Sequence, residues 1–178
     1  SVLSSIPIHL PSSFFSLSKS FELIFAFTLN ANINSNDFDK LKKLEGKWMG
    51  MLERTDGTSD MLNLEYSITS NGSALLEESN TGGVEMLSIF NNHNDEVLIT
   101  HYCGLQNKPI LNLVGSSDGT FKFKTDAKRS GLSRDKENFV DTWTISVSED
   151  GQEMHYEYTV IGPNGSTLTA TAKLKRMS

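Results

Sequence analysis

The chain has 178 residues, of which 37% are hydrophobic and 21% are charged, and its formal net charge is −6 at pH 7. This composition fits one globular domain and excludes collagen-like and wholly disordered chains. The negative balance argues against a nucleic-acid-binding protein, because phosphate recognition needs a concentrated basic surface.

The first 36 residues differ in composition from the rest of the chain. They contain one cation, Lys19, and one anion, Glu22. A charged lead-in, the apolar run Leu23–Leu29 and the small residue Ala31 follow each other as in a secretory signal peptide. We therefore predict a signal-like leader at 1–36 and export of the protein. The alternative is a disordered leader on a cytoplasmic protein. The apolar run is too short to cross a bilayer, so no integral membrane span is expected.

Regular patterns begin after the leader. The segment "NDFDKLKKL" places Phe38, Leu41 and Leu44 three residues apart, which predicts a short amphipathic helix. After it the period changes to two: Trp48 and Leu52 share one face of a predicted strand, and charged or Met side chains share the other.

The remainder of the chain reads as short strands separated by tight turns such as "SNGS", "NTGG" and "SEDG". A second strand is predicted around Leu62–Ile68. The further predicted strands are Ala74–Ser79, Val84–Phe90, Glu96–Cys103, Ile110–Gly115, Thr120–Thr125, Phe139–Val147, Glu153–Ile161 and Thr167–Arg176. No second helical pattern follows, and the basic segment 121–136 is interpreted as a hairpin with a mobile loop. We predict an all-β domain over 37–178: an antiparallel up-and-down barrel of about eight to ten strands with a short N-terminal helix, since closure removes exposed edges.

The predicted helix leads directly into "LEGKWMG", which carries Gly46-x-Trp48. This segment resembles the Gly-x-Trp signature of the lipocalin and calycin superfamily. The resemblance implies that Trp48 seals the closed end of the barrel and that a basic residue of the last strand packs on it. Arg176 is the candidate, because it shares a face with the apolar residues of that strand.

Four segments carry a closer resemblance: "LEGKWMG", "YSITSNGSALLEE", "EMLSIF" and "LITHYCGLQNKP". They look like those of uncharacterised bacterial lipocalin-like domain proteins, which share a Thr-His-Tyr-Cys segment, here at 100–103. The resemblance extends over about Leu41 to Arg176. It implies a fold, and it implies no particular biochemical activity.

The most conspicuous polar cluster is His101-Tyr102-Cys103. The two-residue period places His101 and Cys103 on one face of a strand and Tyr102 on the other. A metal site normally needs three or four ligands and a cysteine nucleophile needs an oriented base, so we predict neither a metal nor another cofactor here. The interpretation left for His101 is either a buried strand residue or a polar contact inside a ligand cavity.

Asp141 is a second candidate, because it lies in the more apolar row of its strand with Phe139 and Trp143. An inward carboxylate needs a partner, since burying an unpaired charge is unfavourable. It is expected to pair with His101 or with a cation inside the barrel, or else to lie in water at the mouth.

The favoured function is binding of one small apolar or amphipathic molecule inside the barrel. The predicted ligand-contacting residues are His101, Tyr66, Phe90, Phe121, Phe123, Asp141 and Trp143. Three alternatives stay open: an enzyme with His101 and Asp141 as an acid/base pair, a haem-binding barrel with His101 as the iron ligand, and an interaction domain without a ligand.

Overall fold

The computed structural model describes residues 35–94 and 96–178, so the predicted leader at 1–36 lies outside the described residues except for its last two. Helix α1 spans Ser35–Leu41 and continues as a 3-10 turn over Lys42–Leu44, and helix α2 spans Ala127–Ser130. The ten strands are β1 Gly46–Arg54, β2 Ser59–Thr69, β3 Ala74–Thr81, β4 Val84–His93, β5 Glu96–Tyr102, β6 Ile110–Ser117, β7 Thr120–Thr125, β8 Phe139–Val147, β9 Glu153–Ile161 and β10 Thr167–Met177.

The strands form one closed antiparallel barrel. Each pairs with the next along the chain, and β1 also pairs with β10, so that Trp48 lies opposite Arg176. This confirms the predicted all-β, up-and-down barrel with a short N-terminal helix. Closure gives each described strand two hydrogen-bonded neighbours, so none of these strands has a free edge.

The two-residue period of the strands separates the core from the surface. On β1, Trp48 and Leu52 are fully buried, whereas Met49 and Met51 on the opposite face are exposed. The buried apolar side chains form one cluster, which includes residues of helix α1 and of the strands. None of the helices within 35–94 and 96–178 has the length and apolar character needed to cross a bilayer.

Helix α1 closes one end of the barrel. Its side chains Phe38 and Leu41 are buried, as is Leu44 in the 3-10 turn, so the predicted three-residue spacing does face the core. Trp48 lies just beneath, and its indole Nε1 donates a hydrogen bond to the carbonyl oxygen of Leu44 at 2.8 Å. The indole is thereby fixed to the segment that covers it.

Arg176 of β10 packs on Trp48 as the resemblance implied. The guanidinium carbon lies 4.1 Å from the indole ring centroid, a stacking and cation–π contact. Its nitrogens also donate hydrogen bonds to three carbonyl oxygens: Glu45 at 2.6 Å, Lys43 at 2.9 Å and Gly151 at 2.7 Å. One side chain therefore connects the last strand to the chain entering the first.

The Gly-x-Trp signature has a steric explanation here. Gly46 has φ = 121°, a conformation that L side chains rarely adopt, and an added Cβ would lie 2.8 Å from Nη1 of Arg176. A glycine at this position allows the guanidinium to reach the Glu45 carbonyl. Gly46, Trp48 and Arg176 therefore act together to close this end of the barrel.

The basic segment 121–136 is more ordered than expected. It contains helix α2, whose first turn is capped by the Asp126 carboxylate accepting a 2.9 Å hydrogen bond from the Arg129 amide. Gly131 ends the helix with φ = 72°. Arg129 also forms an ion pair with Glu96 at 3.2 Å, so part of the positive charge is neutralised locally.

We predict that Gly50→Ala destabilises the barrel by about 1 to 3 kcal/mol. A Cβ at Gly50 would meet the Lys173 carbonyl oxygen of β10 and would lie 3.0 Å from Leu174 Cδ2, so β1 and β10 would have to separate. Urea-induced unfolding measures the loss. The control is Gly115→Ala, because a Cβ there meets nothing within 4 Å. Equal stability of the two variants would contradict this account of the strand pairing.

Candidate functional site

A cavity of about 450 Å³ lies at the end of the barrel opposite helix α1. Its wall is mainly apolar and aromatic, because the inward faces of β8 and β9 supply Val140, Trp143, Tyr156 and Val160. The polar residues at its wall and rim are Arg54, Thr81, His101, Asn138, Tyr158, Ser166 and Thr167. A concave apolar site with a few placed polar groups is the usual form of a small-molecule site.

The loop after β5 forms part of the rim. Gly104 and Leu105 border the cavity, and the Asn107 side-chain amide donates a 2.8 Å hydrogen bond to the carbonyl oxygen of Asn138. This bond joins the β5–β6 and β7–β8 loops across the mouth. The β5–β6 loop therefore shapes the entrance.

His101 lies in the cavity wall and is 4% exposed. Its Nδ1 is hydrogen-bonded to Ser88 Oγ on β4 at 2.9 Å, and its ring packs edge-on against Trp143 with centroids 5.2 Å apart. Burial lowers the pKa of His101 from 6.5 to about 4, so the ring is neutral at physiological pH. Tyr102 points outward and is 47% exposed, as the two-residue period predicted.

Glu77 on β3 is the residue that the sequence interpretation missed. It is completely buried in the barrel, and its carboxylate accepts hydrogen bonds from three hydroxyl groups. Tyr66 donates to Oε2, while Ser88 at 3.1 Å and Tyr156 at 3.5 Å donate to Oε1. Because Ser88 also contacts His101, a continuous hydrogen-bonded chain runs from the core to the cavity wall.

Burial governs the ionisation of this network. It raises the pKa of Glu77 from 4.5 to about 7, although the three hydroxyl donors favour the charged carboxylate. The pKa values of Tyr66 and Tyr156 are also raised, mainly by burial and then by the nearby Glu77 charge. Both phenols therefore remain protonated hydrogen-bond donors.

The hairpin register contains a signal for Glu77. Thr69 pairs with Ala74 across the "SNG" turn, so counting back along both strands places Glu77 opposite Tyr66. Directly opposed residues on antiparallel strands project to the same face. Since Tyr66 was predicted to face inward, the same register would have placed Glu77 beside it.

Apart from Asp141, the predicted ligand residues divide into two groups. His101 and Trp143 border the cavity. Tyr66, Phe90, Phe121 and Phe123 are buried deeper, where Phe90 makes edge-on contacts with Tyr66, Phe123 and Trp143 at centroid distances of 6.1, 6.0 and 6.3 Å. These four residues form the packed core behind the cavity and are absent from its wall.

Asp141 does not join His101. The β8–β9 register shifts between Val140 and Thr142, and this irregularity turns Val140 into the cavity wall. The Asp141 carboxylate instead forms an ion pair with Lys124 on the outer face of β7. A β-bulge reverses which residues face inward, and so the period-two assignment of Asp141 does not hold.

Cys103 shares the cavity wall with His101, and burial raises the pKa of its thiol, which disfavours a thiolate nucleophile. The described residues contain no group of three or more His, Cys, Asp and Glu side chains arranged to hold a metal ion. The Trp143 indole Nε1–H is buried and has no hydrogen-bond partner among the described residues.

No protein-family model and no curated protein sequence matches this chain. Among solved structures, it is similar to a protein of unknown function from the DUF3598 family of Nostoc punctiforme, with 12% identity and a TM-score of 0.56. The alignment covers 77% of this chain and 49% of that one, so this chain spans about half of its length. The similarity supports the barrel fold.

Weaker matches include two redesigned β-barrels. One has 13% identity and a TM-score of 0.35, covering 76% of this chain and 93% of that one. The other, mFAP1 bound to DFHBI, has 13% identity and a TM-score of 0.33, covering 74% of this chain and 95% of that one.

Proposed function

We propose that this protein binds one small apolar or amphipathic molecule in the cavity at the open end of the barrel, in the manner of a lipocalin-like carrier. The observation that carries the proposal is the cavity itself, about 450 Å³ in volume and walled mainly by apolar and aromatic side chains. A molecule of two or three fused or linked rings is of the size that such a site accommodates.

The construction of the barrel supports this function. Helix α1, Trp48 and Arg176 close one end, while the other end is left open between loops. Of the two barrel ends as the described residues form them, only this one lets a ligand enter. The His101–Ser88–Glu77 chain reaches the cavity wall and provides the polar contact that orients an otherwise apolar ligand.

We predict that Val140→Trp weakens binding of the neutral fluorescent probe N-phenyl-1-naphthylamine by about tenfold or more, because a large side chain would occupy cavity volume. Val140 is 5% exposed and borders the cavity. Titration of probe fluorescence measures the affinity, and thermal unfolding confirms that the variant is folded.

The matched control is Val114→Trp. Val114 lies on the outer face of β6 and is 54% exposed, so the same substitution there adds an indole without entering the cavity. Unchanged probe affinity is expected. The proposed function is wrong if the wild-type protein does not bind the probe, or if both variants lose the same affinity.

A further inference from the structure

The hydrogen-bonded chain behind the cavity has a defined direction when Glu77 is ionised. An ionised carboxylate only accepts hydrogen bonds, so Tyr66, Tyr156 and Ser88 each donate to it. A serine hydroxyl has one hydrogen to donate. Because that hydrogen goes to Glu77, Ser88 Oγ acts as an acceptor toward its other partner.

That other partner is His101. The 2.9 Å contact between Ser88 Oγ and His101 Nδ1 then requires the hydrogen to be on Nδ1. The ring is neutral, and a neutral imidazole carries one hydrogen, so Nε2 holds a lone pair and is an acceptor. Among the described residues, Ser88 is the hydrogen-bond partner of the ring, and it leaves Nε2 unpaired.

Position makes this lone pair accessible to a ligand. His101 belongs to the cavity wall, and Nδ1 is held on the Ser88 side, so Nε2 is the ring nitrogen available to a bound molecule. We propose that the cavity selects apolar molecules bearing a neutral hydrogen-bond donor, above all an alcohol or phenol hydroxyl, and that His101 Nε2 accepts that hydrogen bond. This inference rests on the proposed binding function and specifies its ligand class.

The charges around the cavity favour a neutral donor over an anion. A carboxylate ligand has no hydrogen to give to Nε2, and it would bring a second negative charge toward buried Glu77. Arg54, the cation at the rim, is already engaged by Asp60 at 2.7 Å. The inner wall therefore favours ligands that donate a hydrogen bond over ligands that can only accept one, because the His101 Nε2 acceptor needs a donor as its partner.

The test compares two ligands of similar shape, 2-naphthol and 2-methoxynaphthalene, as competitors of N-phenyl-1-naphthylamine at about pH 8.5, where Glu77 is ionised. The first donates a hydrogen bond and the second does not. In His101→Phe the preference for 2-naphthol over 2-methoxynaphthalene should fall about tenfold relative to wild type. Because the same two ligands are compared in the wild type and in the variant, their difference in hydrophobicity cancels from the change in preference.

Cys103→Ala is the matched control, because Cys103 lies on the same face of the same segment and also borders the cavity. It should retain the wild-type preference. An unchanged preference in His101→Phe, or an equal fall in both variants, overturns the inference while leaving the binding function intact. If the wild type binds none of the three compounds, both the inference and the proposed binding function are overturned.

A second measurement needs no variant. Long-range 1H–15N NMR spectra of the wild-type protein at about pH 8.5 should show the buried histidine with a protonated Nδ1 and an unprotonated Nε2. The Nε2 resonance should shift on addition of 2-naphthol and not on addition of 2-methoxynaphthalene. A hydrogen on Nε2 in the free protein overturns the inference.

Discussion

The Trp48→Ala variant is expected to lose about 3 to 5 kcal/mol of unfolding free energy, the range for removal of a large buried aromatic side chain. Trp48 is 1% exposed and fills the closed end of the barrel between α1 and Arg176. The truncation would leave a cavity, remove the hydrogen bond to the Leu44 carbonyl and leave the Arg176 guanidinium without its aromatic partner.

Chemical denaturation measures this loss, and Met51→Ala on the same strand is the control. Met51 is 46% exposed on the outer face, so its truncation should change the unfolding free energy by no more than about 0.5 kcal/mol. A loss of less than about 1 kcal/mol in Trp48→Ala would show that the closed end does not stabilise the barrel.

The second large effect concerns the pH dependence of stability. Burial raises the pKa of Glu77 from 4.5 to about 7, so between these values the folded protein holds a proton that the unfolded chain has released. This contribution to stability is present at low pH and is lost as the pH rises. Burial lowers the pKa of His101 from 6.5 to about 4, so its contribution is present at high pH and is lost as the pH falls.

The two contributions oppose each other in the wild type. Between pH 4.5 and 6.5, Glu77 and His101 are a neutral acid and a neutral imidazole in the folded protein, and a carboxylate and an imidazolium in the unfolded chain. Both states bind one proton, so the pair adds almost no pH dependence there. Substituting either residue should expose the contribution of the other.

We therefore expect opposite trends in two variants measured against the wild type at each pH. The unfolding free energy of Glu77→Gln relative to the wild type should rise by about 3 kcal/mol as the pH increases from 4.5 to about 7. That of His101→Phe relative to the wild type should fall by about 3 kcal/mol as the pH increases from about 4 to 6.5. Urea unfolding across this pH range measures both, and parallel profiles for the two variants would contradict the buried, coupled arrangement.

The barrel could be predicted from the sequence because it depends on local pattern, whereas its closed end was implied by the resemblance that Gly46 and Trp48 carry. Turn segments such as "SNGS" set the ends of strands, and the two-residue period of β1 placed Trp48 inside and Met51 outside. The bounds of β7, β8 and β9 coincide with the predicted ones. The four-residue helix α2 was missed, since it depends on a side-chain cap and a terminal glycine without any apolar period.

The candidate site was predictable only in part. The period placed His101 inward correctly, but it failed for Asp141, because the irregularity after Val140 shifts the face of the strand. It also failed to reveal Glu77, since each face of "ALLEES" carries one leucine and one glutamate. The aromatic residues Phe90, Phe121 and Phe123 were correctly expected inside, yet they fill the core behind the cavity.

The sequence by itself determined the class of fold and the inward position of His101, because hydrophobic period and turn chemistry act over a few residues. The closing role of Gly46, Trp48 and Arg176 was implied by the resemblance of the Gly-x-Trp segment, not by that period. The tertiary structure alone decided where the cavity lies, that Asp141 pairs with Lys124, and that Glu77 is linked to His101 through Ser88. The physical reason is that these features depend on strand register and on a bulge, which bring together side chains from β2, β3, β4, β5 and β9 that are distant along the chain.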